Sequence, residues 1–346
     1  MIDSIATVCV YYCPASLETR QDPYADALLL EAVRPAIQHL RERQLIDGWM
    51  FMRFSERGYH LRLNLVGAEA VLRDQAVPYL TEQLGAYLAR HPEMTPAKTE
   101  LAPISQVLNR KLGRAETDRA LPGTIEARIE PAVSSGMEVD NEPASVLAAN
   151  AALQSALCDR ILDFLALRPA MKERKTFVRQ LIDDALRIAL PAPNERYVFL
   201  QRIKESWVDF FELKPDVLQF YEQLHHKNAA QFTAFFDRKQ SIGDSLALLP
   251  PAFHPVYRAS VAMLEQRIPR IVLRSPDGKL TMSDANRLVG IYHLLHNRLS
   301  LGIEEEVYLS LILSQYTLTR LGNRDIIDIN RRIGGAHDQQ HLRHLL

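Results

Sequence analysis

A run of alternating side chains near the N-terminus constrains the possible fold most strongly. In the stretch "GYHLRLNLVG", three leucines alternate with three polar residues: Leu61, Leu63 and Leu65 with His60, Arg62 and Asn64. Successive side chains of a β-strand point to opposite faces, so the pattern predicts a strand with one apolar and one polar face. The preceding "GWMFMRFS" predicts a partner strand, and Gly58 between them can take the positive φ of a tight turn.

The elements around this hairpin predict an α+β unit. "IATVCVYY" is rich in β-branched residues and tyrosine, which favours a first strand. The next stretch predicts a helix that Asp22 caps and Pro23 begins. A second helix follows the hairpin over residues 68–91, and Pro78 should interrupt or kink it. Strand, helix, strand, strand, helix is the start of a ferredoxin-like unit.

The rest of the chain divides into a less regular middle and a helical end. "PISQVLNRKL" and "GTIEARIEPAV" predict further strands, with a polar loop between them over residues 113–123. From Pro143 onward the apolar periodicity is helical. We therefore expect a ferredoxin-like part over 1–140 packed on a mainly helical part over 141–346, with a cleft between them. One integrated domain is the alternative.

Composition narrows the function classes. The net charge of −1 over 346 residues disfavours a nucleic-acid-coating surface. The N-terminus lacks the basic start of a signal peptide, and no apolar run reaches the ~20 residues that a membrane span needs. Three cysteines without paired spacing indicate free thiols and a reducing compartment. These features predict a soluble cytoplasmic protein with no membrane or nucleic-acid partner.

The common catalytic motifs are missing from the sequence. It has no glycine-rich phosphate loop, no HExxH, no paired CxxC and no GxSxG. P-loop, dinucleotide-binding, zinc-protease and α/β-hydrolase interpretations are therefore poor.

The polar face of the hairpin is the first candidate site. We expect Arg53, His60, Arg62 and Asn64 to line one wall of a cleft for an anionic or carbonyl-rich ligand, because guanidinium groups hold such oxygens in a fixed fork. The alternative is an amphipathic strand whose polar face meets water.

The second candidate site is the segment "YHLLHNRLSLGIEEE". On a helix His293 lies one turn from Asn297, and Tyr292 forms the neighbouring stripe with His296. Because imidazole titrates near neutral pH, His293 is a candidate general acid or base. The alternatives are a polar patch where two helices join and a metal site, which would need a carboxylate that the pattern does not supply.

Together the two segments resemble a known family. "WMFMRFSERGYHLRLNLVG" is similar to the "FFIRYxDPxxHLRLRF" segment in the C-terminal domain of lantibiotic dehydratases. "IYHLLHNRLSLGIEEE" is similar to that family's "HMxxNRL…E" segment. The family includes stand-alone thiopeptide-type bacteriocin biosynthesis proteins, whose length this chain matches. These motifs cover only a small part of the chain.

The resemblance implies an enzyme that modifies a ribosomally made precursor peptide, alongside other biosynthetic enzymes, without a metal or organic cofactor. One branch eliminates glutamate from glutamylated Ser or Thr. Another joins two dehydroalanines in a formal aza-[4+2] cycloaddition and releases the leader peptide. The implied catalytic residues are Arg53, Arg62 and His293, and we add Tyr292. The candidate substrate-binding residues are His60, Asn64, Asn297 and Arg298.

Departures from the family pattern favour the cyclase branch. Asn64 replaces the second arginine of "HLRLR", and Ser134-Ser135-Gly136 stands where another arginine is expected. Glu56-Arg57 replaces the "DP" of the turn. Retention of Arg62 and His293 supports the glutamate-eliminating alternative. A non-catalytic module that binds the leader peptide is the third hypothesis.

Overall fold

The computed structural model describes residues 4–16, 22–97, 109–111, 113, 119–131, 143–237, 248–276 and 278–321. Within these ranges the chain forms two compact units. Unit 1 takes the described residues of Met1–Pro169 together with Asn297–Ser300, and unit 2 takes those of Ala170–His296 and Leu301–Leu346. Every helix in the described ranges is too short or too polar to span a lipid bilayer.

Unit 1 is built on a four-stranded sheet. Its strands are β1 (Ser4–Tyr11), β2 (Gly48–Phe54), β3 (His60–Gly67) and β4 (Ile125–Pro131). Their order is β2-β3-β1-β4, with every neighbouring pair antiparallel. This is the arrangement of a ferredoxin-like unit, and it confirms the predicted α+β class.

The helices of unit 1 follow the predicted order. They are α1 (Pro23–Leu28), α2 (Arg34–Glu42), α3 (Glu69–Val71), α4 (Val77–Arg90) and α5 (Ala144–Ala166). The Asp22 side chain accepts a hydrogen bond from the Ala25 amide at 3.2 Å, which confirms the predicted cap.

A π-helical turn separates α1 from α2, and another separates α3 from α4; each comes just before a proline. Leu29–Val33 precedes Pro35, and Leu72–Ala76 precedes Pro78. Proline lacks the amide hydrogen for an i→i−4 bond and its ring crowds that carbonyl, so the preceding turn widens. The interruption expected at Pro78 is therefore present, one turn earlier in the chain.

The sheet has two different faces. Leu61, Leu63 and Leu65 lie on the face covered by α4, where each is fully buried, a burial worth about 1.5–3 kcal/mol per side chain. We call this the helix face. The opposite face carries His60 and Arg62 and has polar neighbours on β1 and β4; we call it the open face.

Unit 2 is helical in its described ranges. Its helices are α6 (Met171–Ala189), α7 (Pro193–Phe210), α8 (Pro215–Asp237), α9 (His254–Arg267), α10 (Met282–Arg298, whose last two residues belong to unit 1) and α11 (Ile303–Leu318). Helix α11 packs along α7 and also contacts α8, while α9 packs on α6. Eleven residues of α11 are buried, so this helix is central to the unit 2 core.

One predicted strand is wrong where it can be compared. Residues 109–111, within "PISQVLNRKL", are helical, and the remaining positions of the stretch lie outside the described residues. Leu, Arg and Lys favour helix over strand, and Asn109 is buried with its side chain near the Arg57 amide. Residues 114–118 of the polar loop predicted over 113–123 and the Ser134–Gly136 stretch also lie outside the described residues.

Candidate functional site

A pocket of about 230 Å³ lies on the open face of the sheet. Its lining comes from β1, β3, β4 and the β2–β3 turn: Thr7, Cys9, Tyr11, Glu56, Arg57, Arg62, Glu126, Ala127 and Arg128. This sheet-face pocket contains one of the predicted site residues, Arg62.

Arg62 is held by charge and by an aromatic ring. Its Nη2 atom donates to Glu56 Oε1 at 2.5 Å, and its guanidinium lies 3.9 Å from the centre of the Phe54 ring. Glu56 is only 1% exposed, so the pair is largely desolvated and more strongly coupled than a surface ion pair. Burial raises the pKa of the neighbouring Cys9 thiol, and Arg62 partly opposes that rise.

The β2–β3 turn positions Glu56 to pair with Arg62. Arg57 has φ +60° and Gly58 has φ +137°, so two consecutive residues take left-handed conformations. The Arg57 guanidinium donates to both carboxylate oxygens of Glu126, at 2.7 and 3.0 Å, which ties the turn to β4. The two residues that depart from the family's "DP" are thus an internal partner of Arg62 and an anchor of the turn.

His60 is a packed ring rather than an exposed one. It is 1% exposed and lies between Tyr11 and Phe54, with ring centres 4.6 and 5.6 Å away. Its Nδ1 atom is 2.9 Å from the Gly58 carbonyl oxygen, and its Nε2 atom is 3.9 Å from Glu56 Oε1. His60 therefore supports the residue that pairs with Arg62.

Arg53 lies on the opposite face of the sheet from Arg62. In the hairpin register Arg53 is paired with Leu61, whereas Arg62 is paired with Met52. The Arg53 guanidinium donates to Asp26 at 2.6 Å and to the Arg298 carbonyl oxygen at 3.1 Å. The expectation that Arg53, His60 and Arg62 form one wall is therefore wrong, because cross-strand partners share a face.

Asn297 and Arg298 hold the outer edge of β2. The side-chain amide of Asn297 accepts a hydrogen bond from the backbone N–H of Arg53 at 2.8 Å. It also donates one to the backbone carbonyl of Arg53 at 2.7 Å, which is the pattern that a neighbouring strand would supply. Arg298 is fully buried and donates through Nε to the Phe51 carbonyl at 3.0 Å. The backbone N–H of Phe51 donates a hydrogen bond to the Cys158 thiol. This edge is thus covered by side chains.

In unit 2, His293 is paired with a buried carboxylate. Its Nδ1 atom lies 3.0 and 3.2 Å from the two oxygens of Glu306, and Trp207 packs against the imidazole at 5.2 Å between ring centres. Burial raises the pKa of Glu306, and His293 partly opposes that rise. A carboxylate at Glu306 can only accept a hydrogen bond, so this contact favours the His293 tautomer that carries its proton on Nδ1.

Tyr292 and His296 are interior residues. The Tyr292 hydroxyl donates to the Glu306 carbonyl at 2.7 Å and lies 2.8 Å from the Ser310 hydroxyl, and burial raises its pKa well above the usual value. His296 is bonded through Nδ1 to the Tyr292 carbonyl at 2.8 Å, and burial lowers its pKa to about 3. Tyr292 therefore links α10 to α11 beside the His293–Glu306 pair, whereas the His296 bond lies within α10.

Glu306 is the functional candidate that sequence reasoning missed. From the sequence, the run Glu304–Glu306 indicates only acidic residues near the positive end of a helix. The available signal was its closeness to His293 across a short connection between two helices. Among the described residues, no group of three His, Cys, Asp or Glu side chains is arranged to hold a metal ion.

Part of the chain matches a known family. Residues 16–120 match the family described as "Lantibiotic biosynthesis dehydratase C-term". The matched region contains the β2–β3 hairpin that carries Arg62, while the segment around His293 lies beyond it. Residues 16–120 are thus similar to the lantibiotic dehydratase C-terminal family, as the hairpin motif predicted. No curated protein matches the chain in sequence.

Solved structures show the shared fold. The chain is 17% identical to "Pyridine synthase, TbtD, from thiomuracin biosynthesis", with a TM-score of 0.62 over 92% of this chain and 98% of that one. It is 15% identical to the tRNA-dependent lantibiotic dehydratase MibB from Microbispora sp. 107891 (TM-score 0.45; 95% of this chain, 28% of that one). It is 13% identical to TsrL (TM-score 0.42; 99% of each chain). The first similarity shows that this chain and a pyridine synthase share a fold.

Proposed function

We propose that this protein modifies a ribosomally made precursor peptide by a formal aza-[4+2] cycloaddition that forms a pyridine-centred macrocycle. The observation that carries the proposal is the extent of the fold similarity to the pyridine synthase TbtD, which covers nearly all of both chains. The loss of an arginine at Asn64 supports the same branch. The family match supports the broader role, an enzyme acting on a precursor peptide.

The proposed reaction needs proton transfers but no redox change. The amide proton between two residues moves to the carbonyl oxygen, which makes an iminol whose C=N bond is conjugated with one dehydroalanine. This azadiene and the second dehydroalanine form two new ring bonds. Loss of water and then of the leader peptide as an amide adds the two double bonds that complete the pyridine.

His293 is the proposed proton-transfer group. Glu306 fixes the ring through Nδ1, so Nε2 can take and return a proton. A positioned acid or base of this kind contributes about 10²–10⁴-fold in rate. Tyr292 supports this pair from the interior and is proposed as a positioning residue.

Arg62 and Asn64 are the proposed substrate-facing residues of the sheet. Both lie on the open face, and the Asn64 Oδ1 atom is buried without a hydrogen-bond partner in the described ranges. An amide there can pair with a peptide backbone, whereas an arginine would hold a carboxylate. His60 supports them, and Arg53, Asn297 and Arg298 are proposed as positioning residues because their bonds go to the protein itself.

Glutamate elimination is the second candidate. The His293–Glu306 pair and Arg62 favour it, since elimination also needs a base for the α-proton and a cation near the departing carboxylate. The missing arginine at Asn64 disfavours it.

One experiment with two substrates separates the candidates. The protein is incubated with a precursor peptide bearing azoles and two dehydroalanines, and separately with a glutamyl-Ser peptide, and products are measured by mass spectrometry. The proposal expects loss of water, release of the leader as an amide and a new pyridine absorbance from the first. Loss of glutamate from the second, with the first unchanged, would overturn it in favour of elimination. Arg202→Gln, an exposed change on α7, is the matched control for variants.

A further inference from the structure

A second polar cavity lies in unit 2, apart from the His293–Glu306 pair. It has a volume of about 480 Å³ and lies among α6, α7, α8 and α11. We call it the arginine pocket, after Arg187, Arg196 and Arg320 in its lining. Tyr316, another lining residue, is ten residues beyond Glu306 on α11, about 15 Å of helical rise.

The charges of the described residues that line the arginine pocket do not balance. Arg187 pairs through Nε with Asp183 at 2.9 Å, and Arg320 pairs with Asp237. Arg196 instead donates through Nη1 to the carbonyls of Leu190 and Pro191, at 2.6 and 2.8 Å. No carboxylate in the described ranges pairs with Arg196, so three guanidinium groups face two carboxylates.

The Arg196 guanidinium, which has no carboxylate partner among the described residues, is partly removed from water. Burial lowers the pKa of Arg196, Asp183 opposes that effect and Arg187 adds to it. A half-buried cation beside a second cation is costly unless an anion compensates it. The terminal nitrogens of Arg187 and the Nη2 of Arg196 make no hydrogen bond within the described residues, so both guanidinium groups retain donors for a ligand.

We propose that the arginine pocket binds a carboxylate, held by Arg196 and Arg187, with its aliphatic portion against Phe236 and Tyr316. Paired arginines suit the planar, two-oxygen geometry of a carboxylate. The volume lies in the usual range of small-molecule sites, about 300–1,000 Å³. The carboxylate can belong to an acidic peptide side chain or to a free organic acid. The site does not depend on which reaction the protein performs.

The test uses the full chain and defined probes. Binding of the blocked peptide Ac-Glu-Glu-NH₂, of succinate, of Ac-Gln-Gln-NH₂ and of inorganic phosphate is measured by calorimetry at low and high salt. The proposal expects both carboxylate probes, or one of them, to bind more weakly as salt rises. Peptide binding alone assigns the site to peptides, and succinate binding alone assigns it to free acids. Equal binding of the glutamine peptide, or binding of phosphate only, would overturn the proposal.

Variants locate the binding. Arg196→Gln should weaken carboxylate binding about tenfold or more, because a charge-assisted hydrogen bond is lost. Arg202→Gln removes the same charge from an exposed position of α7 and should leave binding unchanged. Equal losses in the two variants would refute the assignment. If Arg196→Gln unfolds, the guanidinium ¹H–¹⁵N signals of the unmodified chain serve instead, and absence of a carboxylate-induced shift at Arg196 refutes it.

Discussion

Replacing Glu306 by glutamine tests whether the buried carboxylate sets the chemistry of His293. Both Glu306 oxygens lie within 3.2 Å of Nδ1, and Glu306 is only 1% exposed, so water cannot take over its role. A glutamine of the same length can offer either its oxygen or its amide group to Nδ1. The imidazole then loses its fixed tautomer, and part of the population carries the proton on Nε2, where it cannot act as a base.

The expected cost follows from the role proposed for His293. If His293 acts as the general base, the variant should lose about 10²–10⁴-fold in kcat, equivalent to roughly 2.7–5.5 kcal/mol of barrier. Single-turnover mass spectrometry of the modified peptide measures the rate. Glu306→Asp keeps the charge but shortens the side chain and should lose less.

A second measurement is independent of the reaction. The ¹⁵N shifts of the His293 ring nitrogens should report Nδ1–H in the unmodified protein and a mixture of tautomers in Glu306→Gln. A changed tautomer with kcat within about threefold of the unmodified enzyme would refute the proposed role of His293. Unchanged ring shifts would instead refute the account of Glu306.

Three further predictions concern stability. Asn297→Ala should cost about 1–3 kcal/mol in urea unfolding and speed hydrogen exchange at the Arg53 amide, because two edge hydrogen bonds disappear; unchanged exchange would contradict this. Tyr292→Phe should cost about 1–3 kcal/mol and leave the pH–rate profile unmoved. Because the pKa of His296 is about 3 in the folded protein and about 6.5 unfolded, stability is lost as pH falls below about 6.5. Between pH 7 and 5 this amounts to about 2 kcal/mol, which His296→Gln should abolish in urea titrations.

The local parts of the fold could be predicted because local interactions determine them. The alternation of Leu61 and Leu63 with Arg62 follows from strand geometry, and the structure buries both leucines. Asp22 was predictable as a cap because a short acceptor before Pro23 has few other uses. The "PISQVLNRKL" stretch was not predictable in this way, since apolar residues without a clear period suit both helix and strand.

The placement of Arg53 shows where sequence reasoning about the site stopped. Arg53 shares a face with Phe51, two positions earlier, and Phe51 is fully buried. That parity already assigned Arg53 to the core side of the sheet. Whether Arg53 on β2 and Arg62 on β3 share a face depends on the register of the two strands. The turn between Phe54 and His60 sets that register, and the sequence pattern alone does not give it.

The carboxylate partners could not be predicted, and they change the meaning of the motif residues. The three basic residues that the resemblance implies as catalytic are each paired with an acid: Arg53 with Asp26, Arg62 with Glu56, and His293 with Glu306. Burying a charged base is costly unless a partner compensates it, so an acid near each of these three is physically reasonable, but its position in the sequence is set by packing. The separations of 27, 6 and 13 residues follow no common rule. The bases alone therefore do not distinguish a site from a structural cross-link. Arg53 makes its hydrogen bonds within the protein interior, whereas Arg62 lines the sheet-face pocket and His293 has only one ring nitrogen bonded to Glu306, and for this reason we propose Arg62 and His293 as the groups that act on the peptide.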